Sequence, residues 1–304
     1  MTLGHEHPLD GTDRTGLAPL LARATAELAA AGVPSARVDA ELLAAHVLDV
    51  GRGRLALIDT VGTRQARRLA DLVRARAARV PLQHLVGSAA FRYLDLAVGP
   101  GVFVPRPETE VLAGWGVAAA RRVADAGGEP IVVDLCSGTG AVALAVADEV
   151  PGVRVIAVER APEALVWLRR NAAAQAGAGG TPIEVIAGDV TDPELLVSCR
   201  ARVDVLLCNP PYVPDGTAVP VEVADHDPAQ AVFGGPDGLA VIRPVVARAA
   251  ALLRSGGVLG IEHDDVHGEA VPALLRADGR FAAVEDHPDL TGRPRFATAR
   301  RRPW

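Results

Sequence analysis

From residue 131 onward the chain alternates short apolar runs with helical stretches, and this alternation leaves few folds open. The runs cover residues 131–135, 153–158, 183–187, 203–208 and 257–261. Each is apolar on successive residues rather than on every second one, as expected of strands buried on both faces of a parallel sheet. Helical stretches at 141–150, 162–175 and 239–253 separate most of them. The pattern predicts an α/β fold with a doubly wound, Rossmann-like sheet, whose ligands sit at the carboxyl ends of the strands. Runs at 281–285 and 295–298 are expected to finish the sheet as an antiparallel edge.

The residues before this region read differently. Leu17, Leu20, Leu21, Ala24 and Leu28 recur at helical spacing. Gly32 and Pro34 break that helix, Ser35 is placed to cap a second one running to Val50, and Thr63 a third running to about Arg79. The third carries Arg64, Arg67, Arg68, Arg74 and Arg76, which read as a solvated face or as a docking surface for an acidic partner. Phe91, Tyr93, Leu94, Leu96 and Val98 suggest a short strand, and Gly99-Pro100-Gly101 a turn, so a hairpin is expected to link two domains. The expected organisation is a disordered leader at 1–16, a small helical bundle at 17–87, a linking hairpin at 88–104 and the sheet domain at 105–304.

Composition removes several classes of function. All 31 basic residues of the 304 are Arg, and the formal net charge is −6, which disfavours a nucleic acid bound over a wide surface. Cys136, Cys199 and Cys208 lack metal-ligand spacing, so no metal site is expected, and their odd number fits reduced thiols in a cytosol. No apolar run reaches the roughly 18 residues of a membrane helix, and the polar start has no signal-peptide core. A soluble cytoplasmic protein is the expectation.

Two segments carry chemistry. The first predicted strand ends in Asp134-Leu135-Cys136-Ser137-Gly138-Thr139-Gly140 and runs into a helix. Glycines there let the backbone approach a ligand, and the helix start supplies free N–H groups. Gly138 to Ala143 also satisfies the relaxed dinucleotide fingerprint, so this loop alone does not separate a methyltransferase from a nucleotide-dependent oxidoreductase. Glu159, ending the second strand, is placed to accept ribose hydroxyls, and Asp189, after the third, to reach an adenine amine.

The second segment decides between them. Asn209-Pro210-Pro211-Tyr212 follows the fourth strand, an arrangement typical of methyltransferases acting on planar nitrogens. An amide nitrogen is a poor nucleophile because its lone pair is delocalised. The Asn209 side-chain oxygen and the Pro210 carbonyl can each accept one N–H of such a group and hold its lone pair toward a methyl carbon. Locked proline φ angles stiffen the loop, and Tyr212 is placed to pack over the flat amide. No strong general base is needed, because the methylated nitrogen is acidic, so His226 and His263 are expected to be structural.

With these segments stand Pro81 to Gly87, Phe91-Arg92-Tyr93, Pro105-Arg106-Pro107-Glu108-Thr109-Glu110, Asp225-His226-Asp227-Pro228, Gly235 to Leu239 and Gly256 to His263. On them the chain, from about residue 17, resembles the protein-(glutamine-N5) methyltransferases of peptide chain release factors, the HemK/PrmC family. The resemblance implies a helical bundle that docks the release factor and a seven-stranded methyltransferase domain using S-adenosyl-L-methionine. The substrate it implies is the glutamine of a Gly-Gly-Gln loop, modified for translation termination. Cofactor contacts carry over to Cys136, Ser137, Gly138, Thr139, Gly140, Glu159 and Val190, with Asn209 between cofactor and substrate. Asn209, Pro210, Pro211 and Tyr212 would hold the glutamine, and Asn209, Pro210 and Tyr212 serve catalysis. Many relatives have Gly at 136, Thr at 137 and Asp at 159. A ribosomal protein, or more remotely a nucleic-acid base, is the alternative substrate.

Overall fold

The computed structural model describes residues 14–303. The chain divides into two compact units, one ending at Val86 and the other beginning at Gly87. Among the described residues no helix is long and apolar enough to cross a membrane.

The first unit packs helices Leu17–Ala30, Ala36–Leu48 and Thr63–Ala77 around Leu17, Leu28, Leu43, Leu69 and Val73. The second helix starts after Ser35 as expected, although the Ser35 hydroxyl donates to Asp39 Oδ1 rather than capping a backbone N–H. The third begins at Thr63 itself and is capped from Gly62, whose N–H donates to Gln65 Oε1. The expected leader lies outside the described residues up to position 13. Its last three residues are ordered: β1 (Arg14–Gly16) pairs antiparallel with β2 (Thr60–Gly62).

Arg76 does not share the solvated face expected for its helix. It is 6% exposed, and its Nε donates to Asp39 Oδ2 at 2.7 Å. A buried charge stays charged only beside a partner, and removing one partner of such a pair costs about 3–5 kcal/mol. Arg76→Ala is therefore expected to destabilise the helical unit by about 3 kcal/mol, while Arg68→Ala, on the half of the helix that faces water, changes stability by under about 0.5 kcal/mol. Urea denaturation of both variants reads this. Equal losses would show that the buried pair contributes nothing special.

The second unit opens with a hairpin of β3 (Ser88–Phe91) and β4 (Leu94–Ala97). Its turn is Arg92-Tyr93, not the expected Gly99-Pro100-Gly101, and Arg92 adopts φ +52°. Tertiary bonds impose that unfavourable turn. The Arg92 guanidinium forks onto the Glu149 carboxylate, and its backbone N–H donates to Glu110 Oε1. This corrects the expected strand, since Phe91 and Leu94 face each other across the turn.

The main sheet holds β5 (Ile131–Leu135), β6 (Arg154–Glu159), β7 (Glu184–Ala187), β8 (Val203–Cys208), β9 (Leu253–Glu262), β10 (Phe281–Pro288) and β11 (Pro294–Arg301). Their order is β10-β11-β9-β8-β5-β6-β7. Strands β5 to β9 are parallel to their neighbours, and β11 enters between β9 and β10, antiparallel to both. Alternate residues feed two cores. Val133, Leu135, Ile156, Leu206 and Ile261 pack with helices Ile242–Leu252 and Ala270–Asp278. Val132, Val155, Val205 and Leu207 pack with helices Thr109–Asp125 and Ala141–Glu149. The continuous apolar runs are explained by this double burial. The helix expected from residue 239 starts at Ile242. Strand order reverses at β5, so the loops after β5 and β8 diverge over one crevice, the usual ligand position in such sheets.

Candidate functional site

Leu135 and Cys208 are register partners at the carboxyl ends of β5 and β8. The two segments singled out in the sequence, Cys136 to Gly140 and Asn209 to Tyr212, thus leave neighbouring strands at the same end of the sheet.

The first is a tight backbone loop. The Ser137 N–H donates to Val158 O at 3.0 Å, its hydroxyl to Asp134 O at 2.9 Å, and the Gly140 N–H to Ser137 O at 2.7 Å. Gly138 and Gly140 have φ +56° and +87°. A Cβ on Gly140 would lie 2.6 Å from Leu168 Cδ1, whereas one on Gly138 would have nothing within 4 Å. Gly140 therefore serves packing, and Gly138 faces open space. Cys136 also has φ +60°, a conformation that costs a non-glycine residue roughly 1–2 kcal/mol. The position where many relatives carry Gly is thus one where glycine is conformationally favoured. The Thr139 carbonyl accepts from Asn171 Nδ2 at 3.0 Å, and Asn171 also makes both backbone bonds of Ala97, tying the loop to β4. Asn171 was not among the expected site residues.

Glu159 is 8% exposed and spans from β6 to this loop. Its Oε2 accepts from the Gly138 N–H at 2.9 Å and its Oε1 from the N–H groups of Arg160 and Ala161, both at 2.8 Å. Of the roughly four acceptor directions of a carboxylate, three are committed and one, on Oε2, is left. Asp189 makes an Asx turn: Oδ1 accepts from the Thr191 N–H and hydroxyl, and Oδ2 from Arg160 at 3.2 Å. The Thr191 backbone bond, ahead of the Arg160 charge, holds its carboxyl below the ordinary range. Only Oδ2, shared with Arg160, remains to meet a ligand amine. Val190 is buried in the core beside it.

The second segment is held from both sides. Pro210 and Pro211 are buried. The Val213 N–H donates to Val232 O and the Gly234 N–H to Val213 O, and a Cβ on Gly234 would come within 2.6 Å of Pro211 O. Asn209 Nδ2 donates to Thr109 Oγ1 at 3.0 Å. No described residue donates to Asn209 Oδ1 or to the Pro210 carbonyl. The Tyr212 hydroxyl donates to Glu262 Oε1 at 3.0 Å, and burial pushes its proton affinity up, so the phenol stays neutral. Arg106, from the proline-bracketed loop, stacks on Phe103 at 4.7 Å and donates to Asp227 Oδ2 at 2.6 Å. That bond joins two sequence segments 121 residues apart. His263 lies between Asp264 O and Asp286 Oδ1, both at 2.8 Å, and belongs to neither loop.

Glu262, the last residue of β9, is 1% exposed. Burial pushes its carboxyl up to about 7, against the pull of the Thr109 and Tyr212 hydroxyls and the Arg295 charge, with Glu108 adding to the rise. Oε1 accepts from the Tyr212 hydroxyl, and Oε2 has no hydrogen-bond partner among the described residues. Nothing in the sequence marked Glu262 or Thr109 beyond their place in recognised segments. An acid closing an otherwise apolar strand was the available signal.

The comparisons with known proteins bear on this geometry. Residues 19–87 match the PrmC N-terminal domain, and residues 122–226 the methyltransferase small domain. The chain is 54% identical over 287 residues to a release factor glutamine methyltransferase of Mycolicibacterium smegmatis, covering 94% of this chain and 98% of that protein. The chain belongs to the release factor glutamine methyltransferase family. The same-named proteins of Streptomyces coelicolor and Deinococcus radiodurans are 47% and 41% identical, covering 92% and 94% of this chain and 96% and 98% of theirs. Among solved structures, the hMettl16 catalytic domain is 13% identical with a TM-score of 0.53, covering 77% of this chain and 82% of that one, a likeness of fold alone.

The Glu262 carboxyl binds a proton more tightly in the folded chain than at its ordinary value of 4.5. Its ionisation therefore opposes folding, not at all at low pH and fully above about 7. Glu262→Gln removes that ionisation. Relative to the natural chain, the variant is expected to gain about 3 kcal/mol of stability between about pH 4 and pH 8, read from denaturation midpoints at the two ends. A gap that stays constant with pH would refute the buried ionisation.

Proposed function

We propose that this methyltransferase moves a methyl group from S-adenosyl-L-methionine to the side-chain amide nitrogen of a glutamine in a peptide chain release factor, acting in the cytoplasm. The observation that carries the proposal is the pair of free acceptors, Asn209 Oδ1 and the Pro210 carbonyl, on a loop stiffened by two buried prolines. The printed names of the relatives support the release factor as substrate. The PrmC N-terminal match supports residues 17–87 as the docking domain, ahead of the catalytic residues from 105.

The residues present fit the donor. Gly138 offers a backbone cradle with open space above it, and Glu159 keeps one buried acceptor direction suited to a ribose hydroxyl. The cofactor contacts proposed are Cys136, Ser137, Gly138, Thr139, Gly140, Glu159, Asp189, Val190 and Asn209, the last between cofactor and substrate. When bound, S-adenosyl-L-methionine supplies an electrophilic methyl carbon on a sulfonium. Asn209 Oδ1 and Pro210 O each accept one N–H of the glutamine amide, which fixes its plane and holds its lone pair toward that methyl carbon. Tyr212, anchored by its hydroxyl, bounds the slot with Pro211. Once methylated, the nitrogen would be acidic and would give its extra proton to solvent, so no side chain of this site needs to act as a strong base. Alignment of this kind can lower a barrier by up to about 7–11 kcal/mol.

Incubation with methyl-labelled cofactor and an unmodified release factor is expected to label the factor, and changing its Gly-Gly-Gln glutamine to Ala to abolish the label. A competent factor left unlabelled at every cofactor concentration would overturn the assignment. Asn209→Ala is expected to lower kcat by at least about 100-fold with cofactor affinity little changed.

Gly138→Ala and Gly140→Ala separate cradle from packing. The first is expected to cost only about 1 kcal/mol of stability but to weaken cofactor binding by at least about tenfold. The second, whose Cβ meets Leu168, is expected to lose about 1–3 kcal/mol of stability. Calorimetric titration and thermal melts read the two effects.

A further inference from the structure

The glycine loop is fixed on one side by its own bonds and on the other by a residue outside both motifs. Asn171 lies on helix Pro162–Gly177 and is 4% exposed. Its Oδ1 accepts from the Ala97 N–H at 2.8 Å, and its Nδ2 donates to Ala97 O at 3.1 Å and to Thr139 O at 3.0 Å. A carboxamide carries two N–H donors, so both are committed. The surroundings also decide which end is which. One N–H faces the oxygen and two carbonyls face the nitrogen, and a reversed carboxamide would set its oxygen against both carbonyls. Toward Ala97 the side chain makes the pair of bonds that a residue of a neighbouring strand would make.

The bond to Thr139 falls on a peptide that borders the open part of the loop. The Thr139–Gly140 unit has its oxygen on Asn171 and its N–H on Ser137 O at 2.7 Å, so its plane is held at both ends. Just before it stands Gly138, with φ +56°, open space where a Cβ would stand, and its N–H on Glu159. The same helix also grips the chain that runs on from Ala97. Trp167 Nε1 donates to Pro100 O at 3.2 Å, and a Cβ on Gly99 would lie 2.5 Å from Trp167 Cζ2. Trp167 and Asn171 are four residues apart and share one helix face. Of the two, only Asn171 hydrogen-bonds to the glycine loop among the described residues.

We infer that Asn171 is a positioning residue for the methyl donor: it holds the Thr139–Gly140 peptide in the orientation that lets Gly138 and Glu159 present their open sides to the ligand. It touches no reacting atom and acts through the Thr139 carbonyl. The inference rests on the reading of this loop as the S-adenosyl-L-methionine site.

The test uses the full-length chain with Asn171→Ala, Asn171→Asp and Trp167→Phe. Aspartate keeps the shape of asparagine and an acceptor for the Ala97 N–H, but loses both donors. Phenylalanine removes the bond to Pro100 O and leaves Thr139 untouched. In calorimetric titration both Asn171 variants are expected to bind S-adenosyl-L-methionine at least about tenfold more weakly than the natural chain, and Trp167→Phe within about threefold of it. At saturating donor, the KM for the release factor is expected to stay within about threefold in all three variants. If Asn171 served only to hold β4 on the helix, the Trp167 and Asn171 variants would move alike. Equal changes in donor affinity, or none in the Asn171 variants, would overturn the role. A second readout needs no variant. In nitrogen-15 spectra of the natural chain, both Asn171 side-chain protons are expected to exchange with solvent at least about tenfold more slowly than those of free asparagine. Fast exchange would overturn the role even if both variants failed to fold. A natural chain that bound no donor would overturn the reading of the loop and the role with it, whereas a natural chain and Asn171 variants that bound it equally well would overturn the role alone.

Discussion

The parallel pairing of β5 with β8 is the constraint on which the rest of the structure depends. With Leu135 opposite Cys208, the chain leaves the sheet twice, side by side, and diverges over a single crevice. One exit becomes a loop of backbone N–H groups and left-handed glycines, the other a loop of carbonyl oxygens stiffened by prolines. Slippage of one residue would reverse every side chain of the strand between the two cores. Because Val132 and Val205 feed one core and Val133 and Leu206 the other, the packing forbids that slip. The same apolar residues that stabilise the sheet therefore set the spacing of the two loops.

Several elements outside the crevice hold those loops rigid. Asn171 joins the glycine loop to β4, Glu159 joins it to β6, and the Arg106–Asp227 bond closes the proline-bracketed segment against the region before Pro228. Two carboxyls near these segments lose by burial. Asp134, beneath the glycine loop, is pushed up to about 7 by desolvation, with Glu159 adding to the rise and Ser137 and the Ala143 backbone pulling it back. Asp227 is likewise raised by burial and drawn down by Arg106. Such groups weaken the fold by their desolvation, and they cluster where orientation of polar groups is needed.

The sheet was legible in the sequence because double burial leaves continuous apolar runs, and the two loops because glycine and proline punctuate strand ends. Less local features were not. The turn at Arg92-Tyr93 has no turn-forming residue, and its bonds to Glu149 and Glu110 impose it, while Gly99-Pro100-Gly101 does turn, as it reads, but beyond the hairpin rather than at its tip. Arg76 falls on an Arg-rich helix whose periodicity says solvent, and its burial follows from Asp39, 37 residues away. The pairing of Arg14–Gly16 with Thr60–Gly62 is equally long-range. In the site, residue types were readable and hydrogen-bond partners were not. Glu159 and Asp189 stand at their expected strand ends, but most of the acceptor capacity of Glu159 serves the backbone, and that of Asp189 goes to Thr191 and Arg160.

Tyr212 shows why that distinction matters. Read from its motif, it is a flat ring laid over an amide. In the structure its ring packs against the core and its hydroxyl is committed to Glu262. A tyrosine anchored at its far end is held in place, and phenylalanine at this position would leave the buried Oε1 of Glu262 without its donor. The committed hydroxyl thus fixes the ring more firmly than packing of its face would alone. In the proposed reaction the chemistry of the tetrapeptide would reside in its first two residues, whose oxygens accept no bond from the described residues. The precision would reside in the fourth, whose oxygen is committed.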